Sequence, residues 1–315
     1  MDQIYGIIER ILFVVLLISS GILAKKMKLV SDAGEKDLSI LSVDFIWPAM
    51  IFSSIVTTLS AQDILSNLLL PFLSAGVHLV GFLVGIVICG FAGYSGDSKR
   101  MFLFHTTMNN FLGMALPLTL FFLPEKGAAL LAVANLGSII ILWTLGVAVL
   151  AGNRGLRATL RSIFSPAMMA IIAGVACVFT GAGRLIPGFI MDCITTLGGP
   201  TLFIGLFVAG TQIYKLGRKA LRFNGWSLLV GFSRTILIPG ILFACAFLLR
   251  ANVSRETLTI FLILSITPAN VNSVTLAMKF NASAGLAAEG VVVTHVFGLV
   301  TMTVFFSLIG TFFLA

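Results

Sequence analysis

Apolar residues in this chain run in long blocks separated by short polar turns, at about 4–24, 38–58, 67–92, 100–123, 127–150, 166–182, 189–210, 225–249, 257–279 and 286–313. A helix crossing the hydrocarbon core of a bilayer needs about 20 mostly apolar residues, and each block is of that order. The pattern therefore predicts an all-α membrane protein with ten transmembrane helices and a single transmembrane domain over residues 1–315. The first block carries Glu9 and Arg10 near its start and has neither a basic leader nor an A-x-A cleavage site. It reads as a span rather than a signal peptide.

Composition narrows the class. Hydrophobic residues make up 58% of the 315 positions and charged ones 10%, with a mean hydropathy of +1.10. A soluble domain carries about 25% charged residues, so an ordinary soluble enzyme is excluded, and the ten blocks leave little chain for a catalytic domain outside the lipid. Nothing in the sequence supports catalysis: there is no HExxH, no Ser/His/Asp set and no GxGxxG following a strand. Cys89, Cys177, Cys193 and Cys245 lie in apolar blocks without metal-ligand spacing and read as small buried hydrophobes. His78, His105 and His295 are scattered over three blocks and read as hydrogen-bonded structural residues. No metal site and no cofactor is expected. The sequons at Asn252 and Asn281 are of a kind that arises by chance.

The net charge of +8 could point to nucleic acid, but the Lys and Arg residues sit in short loops, where membrane orientation explains them. The loops after blocks 1, 3, 5, 7 and 9 hold fourteen of them, from Lys25 to Lys279, against four (Lys126, Arg184, Arg250, Arg255) in the other set. The positive-inside rule then predicts an integral protein of a plasma or bacterial inner membrane with both termini on the non-cytoplasmic side. The expected partners are the lipid bilayer and a small solute, not nucleic acid.

The sequence also carries a weak internal repeat. PAMIFSSIV from Pro48 resembles PTLFIGLFV from Pro200, and NNFLGMALPLTLFFLPEKGAAL matches TPANVNSVTLAMKFNASAGLAA, with Gly127 falling on Gly285. Residues 1–150 and 166–315 thus form two five-span halves. Because five is odd, the second half enters the membrane from the opposite side, a 5+5 inverted repeat.

Blocks 4 and 9 place Asn, Gly and Pro at mid-membrane depth, where Pro costs a helix about 3 kcal/mol and Gly about 1. Two such places at equivalent points of the repeat predict broken helices 4 and 9 around a cavity. The second half of each would begin near the midplane with the positive end of its dipole, about half a charge. The candidate substrate-binding residues are Asn109, Asn110, Gly113 and Pro117 in block 4, and Thr267, Pro268, Asn270, Asn272 and Ser273 in block 9. Asn amides supply donors without the cost of a buried charge. The arrangement suits a small organic anion, while the carboxyl ends of the first half-helices could hold a cation. Asp44 and Arg234, expected at similar depth, are pathway or coupling candidates that either pair or each face a water-filled vestibule. Glu289 is a proton or cation candidate against the alternative of a solvated helix end.

At these residues the chain resembles the auxin efflux carrier family, which includes plant PIN transporters and bacterial transporters associated with malonate and malate. The resemblance lies in GILAKKMKLVSDAGEKDLS with FIWPAMIFSS, in the spacing of Asn110 and Pro117, and in Pro268 followed by AMKFN. It implies crossed helices 4 and 9, with Pro117 and Pro268 setting the breaks and Asn110 contacting a substrate carboxylate. It further implies a scaffold of spans 1, 2, 6 and 7, a moving transport domain of spans 3–5 and 8–10, and a homodimer through the scaffold. The chain departs from the family's pattern in having Ser273 where PIN members commonly carry a second Pro, and only about 151–165 in place of a long loop. The expected function is elevator-like secondary transport of a mono- or dicarboxylate. A sodium-coupled symporter of the bile-acid type, using hydroxyls such as Thr267 and Ser273, stays open, as do a cation or proton antiporter and a non-transporting channel or sensor. Sodium or proton coupling is likewise open.

Overall fold

The computed structural model describes residues 13, 16–111, 114–152, 165–216 and 224–311. Within them the chain is helical throughout, and its strand-like feature is one isolated antiparallel bridge between Asn109 and Ala269. In chain order the helices are α1 (described over 16–26), α2 (Asp32–Thr58), α3 (Ala61–Ser66), α4 (Leu69–Ala92), α5 (Gly96–Thr107), α6 (Ala115–Phe122), α7 (Gly127–Ala151) and α8 (Pro166–Thr180). They continue with α9 (Gly188–Gly198), α10 (Thr201–Leu216), α11 (Gly225–Leu249), α12 (Arg255–Ile266), α13 (Ser273–Lys279) and α14 (Ala284–Ile309).

Among the described residues, six segments are long and apolar enough to cross a membrane by themselves: α2, α4, α7, α9 with α10, α11 and α14. The expected blocks 4 and 9 are each split in two, and α8 has only 15 residues. The seventh block differs from its sequence reading: it bends at Gly199–Pro200 and runs on to Leu216 rather than stopping near 210. Helix α2 begins at Asp32, earlier than the apolar block, because Ser31 caps it by accepting from the Gly34 N–H.

Polar caps and proline explain the boundaries. Ser60 with Asp63 and Asn224 with Ser227 form reciprocal capping boxes at the starts of α3 and α11. Ser254 and Ser283 cap α12 and α14, while Gly181 closes α8 with φ of 72°, a left-handed conformation that favours glycine. Inside α2 and α11 the helix widens into a π-turn, at Ser42–Ile46 and Ser233–Leu237, shortly before Pro48 and Pro239. Proline has no N–H and clashes with the carbonyl four residues back; the wider turn relieves that clash without ending the helix.

The chain passes back and forth between two ends. Arg100 reaches the Phe280 carbonyl at 3.4 Å and the Trp226 indole donates to the Ser98 carbonyl at 3.1 Å, which gathers the 93–100, 224–226 and 280–283 turns at one end with Lys25 and Lys215. The turns at 59–62 and 181–186 come together around one cavity away from that end. Two packing groups stand out: α2 against α8 and α9, and α4 against α5, α7 and α12 with α11 on α14. Trp47 meets Trp143 edge-on at 5.7 Å between them. The outside is apolar, with Phe91 91% and Leu248 82% exposed, while Arg234, His78, Asn109 and many hydroxyls are buried. That inversion of a water-soluble protein's pattern marks an integral membrane protein.

Candidate functional site

The two interrupted helices meet where the sequence is richest in Asn and Pro. Pro268 removes an N–H and biases Thr267 to an extended conformation, φ −70° and ψ 142°. Helix α5 ends at Thr107, with Met108 extended. The two extended pieces then bind each other: the Asn110 N–H donates to the Pro268 carbonyl at 2.8 Å and the Asn270 N–H to the Met108 carbonyl at 3.1 Å. The Ala269 N–H donates to Thr294 Oγ1 at 3.2 Å. Backbone freed from a helix in a buried place must find such partners.

One face of this junction presents carbonyl oxygens. The Arg234 side chain, fully buried on α11, donates from Nε to the Thr267 carbonyl at 3.1 Å and from Nη2 to Ser265 at 2.9 Å and Leu264 at 3.4 Å. Its Nη1 reaches the Thr106 carbonyl at 3.4 Å. Asn109 Nδ2 adds a donor to Leu264 at 2.5 Å. These are the last carbonyls of α12 and α5, groups that a helix end leaves without intrahelical partners.

The other face opens on a cavity of about 320 Å³, lined by Asn110 and Asn272 together with Ser53, Ser54 and Thr57 of α2 and Thr195, Gly198, Gly199 and Thr201 around the α9–α10 bend. Asn272 is held locally, its N–H donating to Asn270 Oδ1 at 2.9 Å. Its side-chain oxygen lies where a Cβ on Gly205 would be, so α10 can approach only with glycine there. The cavity shares Thr57 with a larger one of about 540 Å³ beside Ser60, Gly181 and Arg184. It also shares Met50 and Ser54 with an adjoining one of about 340 Å³ that reaches Asn135 of α7.

Toward the basic end the helices are linked by ion pairs. Buried Glu35 of α2 contacts Lys25 of α1 at 2.5 Å, Lys215 of α10 at 2.7 Å and Gln212 Nε2 at 2.6 Å. Asp32 binds the same two lysines, each at 2.7 Å. Lys279, the last residue of α13, pairs with Asp44 in the π-turn of α2. Buried charges persist only when paired in this way.

A family model described as membrane transport protein matches residues 6–159 and 153–306 of the chain. Together the two stretches cover nearly all of it. The chain belongs to this family, the auxin efflux carrier or PIN-like group. An uncharacterized transporter of Methanocaldococcus jannaschii is similar over its whole length, 23% identical over 303 residues that make up 93% of this chain and 96% of the relative.

As a member of this transport family, the chain assembles most of the residues singled out from its sequence. Asn109, Asn110, Thr267, Pro268, Asn270, Asn272 and Ser273 all fall in or beside the junction. They divide by role: Asn110 and Asn272 line the cavity, whereas Asn109 and Asn270 hold backbone and the Thr267 hydroxyl is spent on the Leu264 carbonyl at 3.1 Å. Gly113 lies outside the described residues. Pro117 is the third residue of α6, where a first turn needs no N–H from it, and the described residues 108–111 and 114 of block 4 lie outside the helices. The two second half-helices are both short, eight residues in α6 and seven in α13.

Three expectations are corrected. Asp44 and Arg234 do not pair, since Lys279 takes Asp44 and main-chain carbonyls take Arg234. Glu289 is not a solvated helix end: it is 9% exposed and accepts from Asn224 Nδ2 at 2.7 Å, tying α14 to the start of α11. Cys193 is exposed on the outer face of α9, and of the four cysteines only Cys89 is buried. His78 does bridge elements, Nδ1 to the Thr107 carbonyl at 2.8 Å and Nε2 to Ser138 at 2.9 Å. Among the described residues no cluster of His, Cys, Asp and Glu could hold a metal ion.

Sequence reasoning missed the hydroxyl wall and Gly205. The signal was present, since Ser53, Ser54 and Thr57 recur on one side of the mostly apolar stretch after Pro48 and Thr195, Gly198, Gly199 and Thr201 cluster around Pro200.

Proposed function

We propose that this protein is a secondary carrier that moves a small organic anion, a mono- or dicarboxylate, by elevator-like alternating access. The observation that carries the reading is the 320 Å³ cavity in which Asn110 and Asn272, one from each paired interruption, face a wall of hydroxyls from α2 and the α9–α10 bend. Neutral amide and hydroxyl donors suit a carboxylate whose charge is to be taken up and released again; a buried lysine there would hold it too tightly.

The wider architecture in this reading is ten spans in a 5+5 inverted repeat, with α5–α6 and α12–α13 as crossed, broken spans 4 and 9. The packing of α2 with α8 and α9 supports a scaffold of spans 1, 2, 6 and 7, and the packing of α4, α5, α7, α11, α12 and α14 supports a transport domain of spans 3–5 and 8–10. The cavity lies along the boundary between these groups. It continues toward Ser60 and Arg184, while Asp44–Lys279 and the Glu35 cluster close the basic end. With the basic end cytoplasmic, the conformation is outward-open, and both termini lie outside.

Thermal unfolding of the purified protein with a panel of mono- and dicarboxylates tests this. A ligand that binds the folded state raises the melting temperature with concentration. One class of carboxylate should do so for the wild type and not for Asn110→Ala. Silence of every carboxylate would refute the organic-anion assignment.

A further inference from the structure

We propose that the Arg234 guanidinium is a built-in cation, seated between the carboxyl ends of α5 and α12 where a co-transported sodium ion would have to bind, so that the carrier takes up its anion without one. The inference rests on the carrier reading for its consequence, but its structural basis is separate.

Four hydrogen bonds fix the guanidinium, and they go to carbonyls of both interrupted helices: Thr106 at the end of α5, and Leu264, Ser265 and Thr267 at the end of α12. A cluster of main-chain carbonyls at broken helix ends is the kind of oxygen cage in which carriers hold sodium. Here a side chain fills it. Arginine stays protonated even when buried, and its planar fork of donors matches several oxygens at once. The Asn109 amide and the Thr267 hydroxyl take further bonds to Leu264 of the same cluster.

Charge arithmetic agrees. Each helix end contributes about half a negative charge, so two ends amount to about one, which one guanidinium neutralises. A sodium ion arriving among these oxygens would find no net attraction and a fixed positive charge within contact distance. Arg234 comes from α11 and bonds to both α5 and α12, so the same residue clamps the two interruptions into one body that can travel with the bound anion.

The test is a sodium titration of melting temperature on the purified full-length protein, with choline chloride replacing sodium chloride at constant ionic strength, for the wild type, Arg234→Lys and Arg234→Met. It is run without carboxylate and then with one. The wild type and Arg234→Lys should show no saturable response to sodium, and the apparent carboxylate Kd of the wild type should stay within about twofold across the series. Arg234→Met should melt several degrees lower and gain a saturable response to sodium or to added guanidinium, which a merely structural loss would not produce.

Saturable stabilisation of the wild type by sodium, or a tenfold gain in carboxylate affinity with sodium, would overturn the proposal. So would a folded Arg234→Met protein that ignores cations, whatever its stability. Should Arg234→Met fail to fold, the wild-type titration decides alone. Because that titration needs no substrate, silence of every carboxylate would refute the organic-anion reading and leave this proposal to be judged by its own result.

Discussion

The paired interruptions present two unlike faces made from the same backbone event. On the carbonyl face the freed groups are filled from within by Arg234 and Asn109. On the amide face Asn110 and Asn272 look onto a cavity that no side chain fills. Breaking a helix in a membrane frees donors and acceptors alike, and lipid tolerates neither. This chain spends a side-chain charge on the acceptors, while the freed N–H groups pair with backbone and side-chain oxygens of the junction itself. The asymmetry sets a side-chain-filled face against one that borders a cavity.

The sharpest way to break the comparison is to remove the open face's donor. Asn110→Ala should weaken carboxylate binding about 10- to 150-fold, the loss of about 1.5–3 kcal/mol for a hydrogen bond to a charged group, as read by ligand-induced thermal stabilisation. An affinity within twofold of the wild type would show that the cavity is not the anion site.

Next in size is a change that touches no ligand. Gly205→Ala puts a methyl where the Asn272 side-chain oxygen sits, and overpacking of this kind costs about 1–3 kcal/mol. Denaturation and carboxylate titration together should show both lower stability and weaker binding, because Asn272 must turn away. Full binding in a destabilised protein would mean that Asn272 only fills space.

The same contrast extends to the two ends of the molecule. Asp44–Lys279 joins α2 to α13 at the closed end, and a partly exposed pair of this kind is worth about 0.5–1 kcal/mol, or about two- to fivefold in a conformational equilibrium. Lys279→Ala should raise thiol labelling of a cysteine placed at Ser39 by that factor, and the charge swap Asp44→Lys with Lys279→Asp should restore the wild-type rate. No change in either variant would remove the pair from the gate.

An effect of similar size that touches neither the amide face nor the gate lies at the start of α3. The Ser60 hydroxyl and N–H hold the Asp63 carboxyl below its ordinary value of 3.8. A lowered carboxyl stabilises the fold above its unfolded pKa, and that contribution disappears as pH falls through the folded value. Ser60→Ala should cost about 1 kcal/mol near neutral pH. The difference from the wild type should shrink below about pH 4, as followed by thermal unfolding from pH 7 to 3.

Much of this was legible in the residues. Pro268 and the runs HTTMNN and TPANVN announced the interruptions, because Pro and the surrounding polar groups have no comfortable place at mid-helix in lipid. What the sequence hid were partnerships across the fold. Arg234 stood out as an intramembrane charge, yet its partners are carbonyls, which look identical at every position of a sequence. Asp44 meets Lys279, 235 residues away, and only the packing of α2 on α13 brings them together. The bend at Gly199–Pro200 was seen as a repeat and not as a break, since one proline is equally compatible with the helical π-turn it follows at Pro48.

The central claim is that a small organic anion binds at the open face and is carried across. Uptake of a labelled carboxylate into proteoliposomes, measured over a range of concentrations for the wild type and Asn110→Ala, tests it most directly. The account predicts saturable uptake by the wild type that Asn110→Ala abolishes. Flux that rises linearly without saturation and survives Asn110→Ala would contradict it and point to a continuous pore.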